Sequence, residues 1–161
     1  MLGVVLGNGP SKHRYNYEGD FIIGCNIPGD DFSVDATVIT DVEIVWVLKN
    51  NPELIQSPLI VSTIAWEKMK ELKLPALNDV IDVFKPKDWY TSGHYAALYL
   101  TNIMNCDTIH VWGCDSYYVD DYTTTTDQYV INGGSVFYEQ WRRCWNRIIK
   151  DNPGAEFVIK R

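Results

Sequence analysis

Short apolar runs recur along the chain and are separated by polar stretches rich in turn residues. Runs of three to five apolar residues bounded by Gly, Pro, Asn or Asp are typical of the buried strands of a parallel sheet. The runs predict seven strands, at residues 2–6, 20–24, 36–40, 59–61, 80–84, 108–112 and 156–159.

Between several of these runs, apolar residues recur every three or four positions, which indicates amphipathic helices. Three helices are predicted, at residues 64–73, 92 to about 104 and 136–150. Ser92 would cap the second of them, and residues 42–49, after Asp41 as N-cap, fit either a helix or a strand. Strands that alternate with helices predict one α/β domain over residues 1–161, with a mostly parallel sheet and helices on both faces.

Composition excludes several classes of partner. The net charge is −7, whereas a nucleic acid duplex or an anionic membrane requires a basic face, so we expect neither. A small nucleotide held by backbone amides is still compatible with this charge. The first apolar run is too short for a signal peptide or a membrane span, so we expect a cytoplasmic protein. The four scattered cysteines contain no CxxC pair and predict reduced thiols rather than disulfides or a zinc site.

A glycine-rich segment directly follows the first predicted strand, with the sequence Gly7-Asn8-Gly9-Pro10-Ser11. Parallel α/β proteins place nucleotide sites at such turns, because glycines let the backbone bend and free N–H groups can face a phosphate or a base. The same residues also suit an ordinary turn at a strand end. Other predicted strands end in polar residues, among them Asn26, Asp41 and Asp115, and ligands of such sheets bind at these ends.

Four landmarks occur in a fixed order: the Gly7–Ser11 loop, Cys25-Asn26, Thr91-Ser92-Gly93 at a helix start, and the strand end Gly113-Cys114-Asp115-Ser116-Tyr117. In this ordered set, over roughly the first 120 residues, the chain resembles the bacterial sialyltransferases of glycosyltransferase family 42. Archaeal pterin pyrophosphokinase-like proteins share a similar layout. The resemblance implies a Rossmann-like domain whose ligand is a nucleotide or a nucleotide-sugar, with a CMP-linked sugar among the candidates, and which requires no cofactor.

The resemblance also implies roles for individual residues. By position, the nucleotide would be bound by Gly7, Asn8, Gly9, Pro10, Ser11, Asn26, Asp41, Thr91, Ser92, Gly93 and Asp115. Tyr117 matches a tyrosine that helps to stabilise the departing phosphate, and it would be catalytic. Asp115 also suits a loop organiser. Asp41 stands where the family has a neutral amide, so it would repel a phosphate or bind a different group.

Residues 116–135 depart from the family pattern. The family has a long lid there with the histidine that acts as general base, whereas this interval is a short flap rich in tyrosine and without histidine. His94 becomes the candidate catalytic base, because a helix N-terminus would lower its pKa and favour the neutral imidazole. The alternative is a partly exposed helix histidine without a chemical role. The basic triplet Lys12-His13-Arg14 could meet a phosphate or form a solvated turn.

Three functions follow from these observations. The first is nucleotide or nucleotide-sugar binding, with transfer by a small glycosyltransferase-like enzyme. The second is a non-catalytic nucleotide-binding module or a subunit of a larger assembly. A homo-oligomer is compatible with either function. The third is a pyrophosphokinase-like enzyme that uses magnesium. Asp30-Asp31 and Asp120-Asp121 resemble acidic metal motifs, with Asp41 and Asp115 as further candidates, although paired acids are also common in loops that bind no metal.

Overall fold

The computed structural model describes residues 1–120, 124–126 and 137–161. These ranges form a seven-stranded parallel sheet with the order β5-β4-β3-β2-β1-β6-β7. The strands are β1 Leu2–Leu6, β2 Phe21–Cys25, β3 Ala36–Ile39, β4 Leu59–Ser62, β5 Val80–Phe84, β6 Thr108–Trp112 and β7 Glu156–Ile159. All seven predicted strands are confirmed to within one residue at each end.

Four α-helices lie between the later strands. They are α1 Val42–Asn50, α2 Thr63–Glu71, α3 Ser92–Asn102 and α4 Tyr138–Asp151. Residues 42–49 are therefore helical, which decides between the two alternatives for this segment. The N-cap of α3 is Thr91, so the prediction that Ser92 caps this helix is wrong by one position. Val136, the predicted start of the last helix, lies outside the described residues.

The helices cover both faces of the sheet, as predicted. Successive strand residues point to opposite faces: Val38 packs in a core with Leu100 of α3 and Trp145 of α4. Its neighbour Ile39 packs in a second core with Val45 of α1 and Met69 of α2. The fold is accordingly a single Rossmann-like α/β domain with α1 and α2 on one face and α3 and α4 on the other.

The centre of the sheet positions the candidate site. From β1 the chain builds strands outward to β5 and then returns through α3 to β6, on the other side of β1. The strand order reverses at this point, and such a reversal opens a crevice outside the carboxyl ends of the strands. No helix in the described ranges is long and apolar enough to cross a bilayer.

Candidate functional site

A cleft of about 530 Å³ opens at the carboxyl ends of β1, β2, β3 and β6, at the reversal of strand order. Seven of the residues predicted to bind a nucleotide line it. They are Gly7, Asn8, Asn26, Asp41, Thr91, Ser92 and Gly93. The order of the strands along the sheet thus brings together residues that lie up to 86 positions apart in the sequence, from Gly7 to Gly93.

Asn8 forms the floor of the cleft at the end of β1. Its side-chain Nδ2 donates to the Cys25 carbonyl at 2.7 Å, and its Oδ1 accepts from Lys12 Nζ at 2.9 Å. Thr125 adds a backbone bond, from its N–H to the Asn8 carbonyl at 3.0 Å. The loop is therefore firmly held, and the Asn8 backbone N–H makes no hydrogen bond to any of the described residues.

Three other residues of the predicted nucleotide site connect two loops instead of lining the cleft. The Ser11 N–H and hydroxyl both donate to Asp115 Oδ2, at 3.0 and 3.1 Å, and Gly113 N–H donates to Ser11 Oγ at 2.7 Å. A side chain at Gly9 would overlap the same Asp115 carboxylate. Gly9 is therefore required for close approach of the loops, and not for a positive φ. Pro10, also predicted to bind, is exposed and lies outside the lining.

The start of α3 is held by an internal cap. His94 Nδ1 accepts from the Thr91 backbone N–H at 2.9 Å, and His94 Nε2 donates to the Trp141 carbonyl at 3.1 Å. The Ser92 and Gly93 backbone N–H groups, at the first two helical positions, make no hydrogen bond within the described residues. Unpaired amides at a helix start favour negative charge. A methyl group at Gly93 would stand 2.8 Å from Cys114 Sγ, so glycine lets the helix start reach this position.

The structure argues against His94 as a catalytic base. The side chain is 0% exposed, it is absent from the lining of the cleft, and both ring nitrogens are bonded within the protein. Burial lowers the pKa of His94 to about 4. The imidazole is therefore neutral near pH 7 because of burial, not because of the helix N-terminus, and it serves the helix cap with no nitrogen left for a ligand.

Tyr117, the residue predicted to stabilise a departing phosphate, also lies outside the lining of the cleft. Its hydroxyl donates to Asn146 Oδ1 on α4 at 2.9 Å. Its ring packs edge-on against Tyr118, with 5.0 Å between the centroids. Of the other tyrosines in the predicted flap, Tyr122 and Tyr129 lie outside the described residues.

A chain of hydroxyl groups orients Asn26 beside the start of α3. Ser92 Oγ donates its proton to Asn26 Oδ1 at 3.0 Å. The Thr40 hydroxyl lies 3.0 Å from Ser92 Oγ and therefore donates to Ser92 Oγ. Asn26 adopts a left-handed backbone with φ of 58°, which asparagine tolerates better than most residues. Its amide nitrogen has no partner among the described residues and is a second type of donor at the cleft.

The α1 side of the cleft is acidic. Asp41 and Glu43 line it, and the Asp41 carboxylate makes no capping bond to α1. Asp41 is exposed at the cleft, but partial desolvation by the surrounding protein, together with the nearby Glu43, raises the pKa of its carboxyl group. No lysine, arginine or histidine lines the cleft among the described residues. Carboxylates accept hydrogen bonds from hydroxyl or amino groups, so this side suits the uncharged polar part of a ligand.

The α4 side of the cleft is aromatic. Tyr90, Phe137, Trp141 and Trp145 line it. Phe137 is 38% exposed and lies 5.4 Å, between ring centroids, from Trp89. Trp141 is only partly buried, and both it and Phe137 lie at the edge of the cleft. Aromatic rings in this position can stack on a base or on the apolar face of a sugar.

The burial of Lys12 is not predictable from the sequence. It is 1% exposed rather than solvated, and its Nζ donates to Asn8 Oδ1, to the Pro28 carbonyl and to Thr125 Oγ1. The neighbouring His13 and Arg14 are exposed. Basic residues in a polar turn are usually solvated, and no local pattern distinguishes Lys12 from its neighbours.

The acidic pairs do not form a metal site within the described residues. No group of three or more metal-ligating side chains is brought together there. Asp120 instead pairs with Arg142 at 2.5 Å, and Asp30 accepts from Gln56 at 2.8 Å. Asp121 lies outside the described residues. The structure thus adds no support for magnesium.

Comparison with known proteins gives no relative: no protein-family model, no curated protein and no solved structure matches this chain. The resemblance to glycosyltransferase family 42 therefore depends on the four sequence landmarks alone.

Proposed function

We propose that the chain binds a nucleotide or a nucleotide-sugar in this cleft. The observation that carries the proposal is the convergence of backbone amides from two elements, Asn8 after β1 and Ser92-Gly93 at the start of α3, at the reversal of strand order. None of these amides is paired within the described residues. Such amides bind phosphate groups in α/β proteins without needing a basic side chain. This also agrees with a protein of net charge −7.

The two ends of the cleft would bind the other parts of the ligand. Asp41, Glu43 and the Asn26 amide offer acceptors and donors to ribose or sugar hydroxyl groups. Trp141 and Phe137 offer ring faces to a base or a pyranose. A ligand with one anionic group between a hydroxyl-rich part and a ring matches this arrangement better than a highly charged polyanion, since the described lining contains no basic side chain.

Calorimetric titration with CMP, UDP, GDP and ADP tests this proposal. We expect at least one of them to bind with a Kd below about 1 mM, a weak but specific affinity. Asn26→Asp should weaken that binding about tenfold, because it replaces an amide donor of the cleft by a carboxylate, which repels an anionic ligand. Asn78→Asp is the matched control: Asn78 is exposed and precedes β5, at the opposite edge of the sheet. The proposal is rejected if none of the four nucleotides binds.

Glycosyl transfer is a second candidate, and the Asp41 carboxylate is the observation that favours it. This group lines the cleft, has a raised pKa and is not used in capping, which are properties of an acid–base catalyst. Incubation with a nucleotide-sugar distinguishes the two. For a transferase, Asp41→Asn should abolish hydrolysis or transfer and preserve nucleotide binding. A binding module should turn over no nucleotide-sugar in either form.

A further inference from the structure

Lys12 is a fully buried cation without an ion-pair partner in the described part of the chain. Its three donors are satisfied by neutral oxygens, those of Asn8, Pro28 and Thr125, and no described carboxylate lies within ion-pair distance. The Phe32 ring covers the ammonium, with 4.5 Å from Nζ to its centroid. A buried charge is costly unless an opposite charge compensates it.

Within the described residues, the titratable groups around Lys12 do not supply that compensation. Cys25 on β2 is a neutral thiol, because burial raises its pKa to about 12. Asp31, in the β2–β3 connection, attracts the ammonium from an exposed position. Asp115, after β6, is bonded to Ser11, and the 124–126 segment brings only threonines. Desolvation therefore prevails and lowers the pKa of Lys12 to about 8.

The ammonium lies directly behind the cleft. Asn8 and Cys25 form the wall between them, and Thr125, which also accepts from Lys12, is flanked by the lining residues Thr124 and Thr126. A charge in a water-poor interior is poorly screened and acts over several ångströms. An anion bound at the Asn8, Ser92 and Gly93 amides would be close to this charge.

We propose that Lys12 supplies the positive charge for an anionic ligand, acting through the Asn8 wall without touching the ligand. The inference rests on the proposed function and adds to it a charge requirement: a phosphorylated ligand is favoured over its neutral nucleoside. Lys12 is thus a positioning residue, since its hydrogen bonds also fix the loop that presents the Asn8 amide.

The test is the protonation equilibrium of Lys12 in the full chain, followed by NMR of protein labelled with ¹³C-lysine. Lys12 is assigned by triple-resonance connectivities, so no substitution is needed. The pH is varied from 7.5 to 10.5 with CMP, with cytidine, with sulfate or with no addition. Phosphomonoesters are dianions throughout this range. We expect CMP and sulfate each to raise the pKa of Lys12 by about one unit. By linkage, a shift of this size means that the protein binds the anion about tenfold more weakly when Lys12 is deprotonated. Cytidine should not change it.

Each outcome decides a different point. If CMP shifts the Ser92 and Gly93 amide signals but leaves the pKa of Lys12 unchanged, the inference is wrong and the proposed function stands. If sulfate alone raises the pKa, Lys12 is the partner of an anion but CMP is not the ligand. If neither CMP nor sulfate perturbs the cleft amides or Lys12, the inference fails.

Lys12→Met provides an independent readout, with Lys49→Met as control, because Lys49 is exposed on α1. In the wild-type protein, CMP affinity should fall several-fold between pH 7.5 and 9.5. In a folded Lys12→Met protein it should be about tenfold weaker at pH 7.5 and independent of pH. If Lys12 had only a structural role, the CMP affinity of the Lys12→Met protein would keep the pH dependence of the wild-type protein.

Discussion

His94 and Lys12 are basic residues that folding buries almost completely, and burial changes what each can do. The His94 ring connects the start of α3 to α4 through Thr91 and Trp141. With both nitrogens bonded and a pKa near 4, it stabilises the site without touching a ligand. Lys12 keeps its proton near neutral pH but loses most of its hydration.

The protonation of His94 should make stability depend on pH. The unfolded chain takes up a proton near pH 6.5, and the folded protein resists it down to about pH 4. The free energy of unfolding should therefore fall as the pH is lowered through this window, by up to about 3 kcal/mol. Urea denaturation at several pH values measures this loss.

His94→Gln should remove that part of the pH dependence, while His13→Gln, at an exposed position, should keep it. An unchanged slope in His94→Gln would show that another group causes the acid sensitivity. Whatever its effect on acid stability, a folded His94→Gln protein should still bind the nucleotide, because the His94 ring does not line the cleft.

At the scale of elements, the β1 and β6 loops act as one unit. Asp115 accepts two hydrogen bonds from Ser11, and Ser11 accepts one from Gly113. This connection joins two neighbouring parallel strands exactly where the cleft begins. It fixes the Asn8 loop. It also explains why Ser11 and Asp115, both predicted to bind the nucleotide, are buried outside the lining of the cleft.

A double-mutant cycle measures this connection. Asp115→Ala should destabilise the fold by about 2–3 kcal/mol and Ser11→Ala by about 1–2 kcal/mol, because buried donors lose their acceptor. The two effects should be non-additive, with a coupling energy of about 1–2 kcal/mol. Ser11→Ala combined with Asp82→Ala on the distant β5 should be additive. Additive effects of Ser11→Ala and Asp115→Ala would contradict the connection.

At the scale of the whole molecule, the fold could be predicted because buried parallel strands are nearly continuous apolar runs. The same topology predicts that Asn8, Asn26, Asp41 and Ser92 meet, since they all follow or face carboxyl ends of strands. The positions of Lys12 and His94 could not be predicted. Lys12 is held by Pro28 and Thr125, and His94 by Trp141, at separations of 16, 113 and 47 residues. Such contacts leave no local pattern in the sequence.

The proposed function requires that the crevice between the Asn8 loop and the start of α3 binds the phosphate of a nucleotide. A crystal structure of the protein with CMP tests this directly. We expect phosphate oxygens within hydrogen-bonding distance of the Asn8, Ser92 and Gly93 backbone nitrogens, and the base or ribose against Asp41 or Trp141. Density for CMP elsewhere, for instance in the smaller cavity near Asp30 and Phe32, or an empty cleft at millimolar CMP, would contradict it.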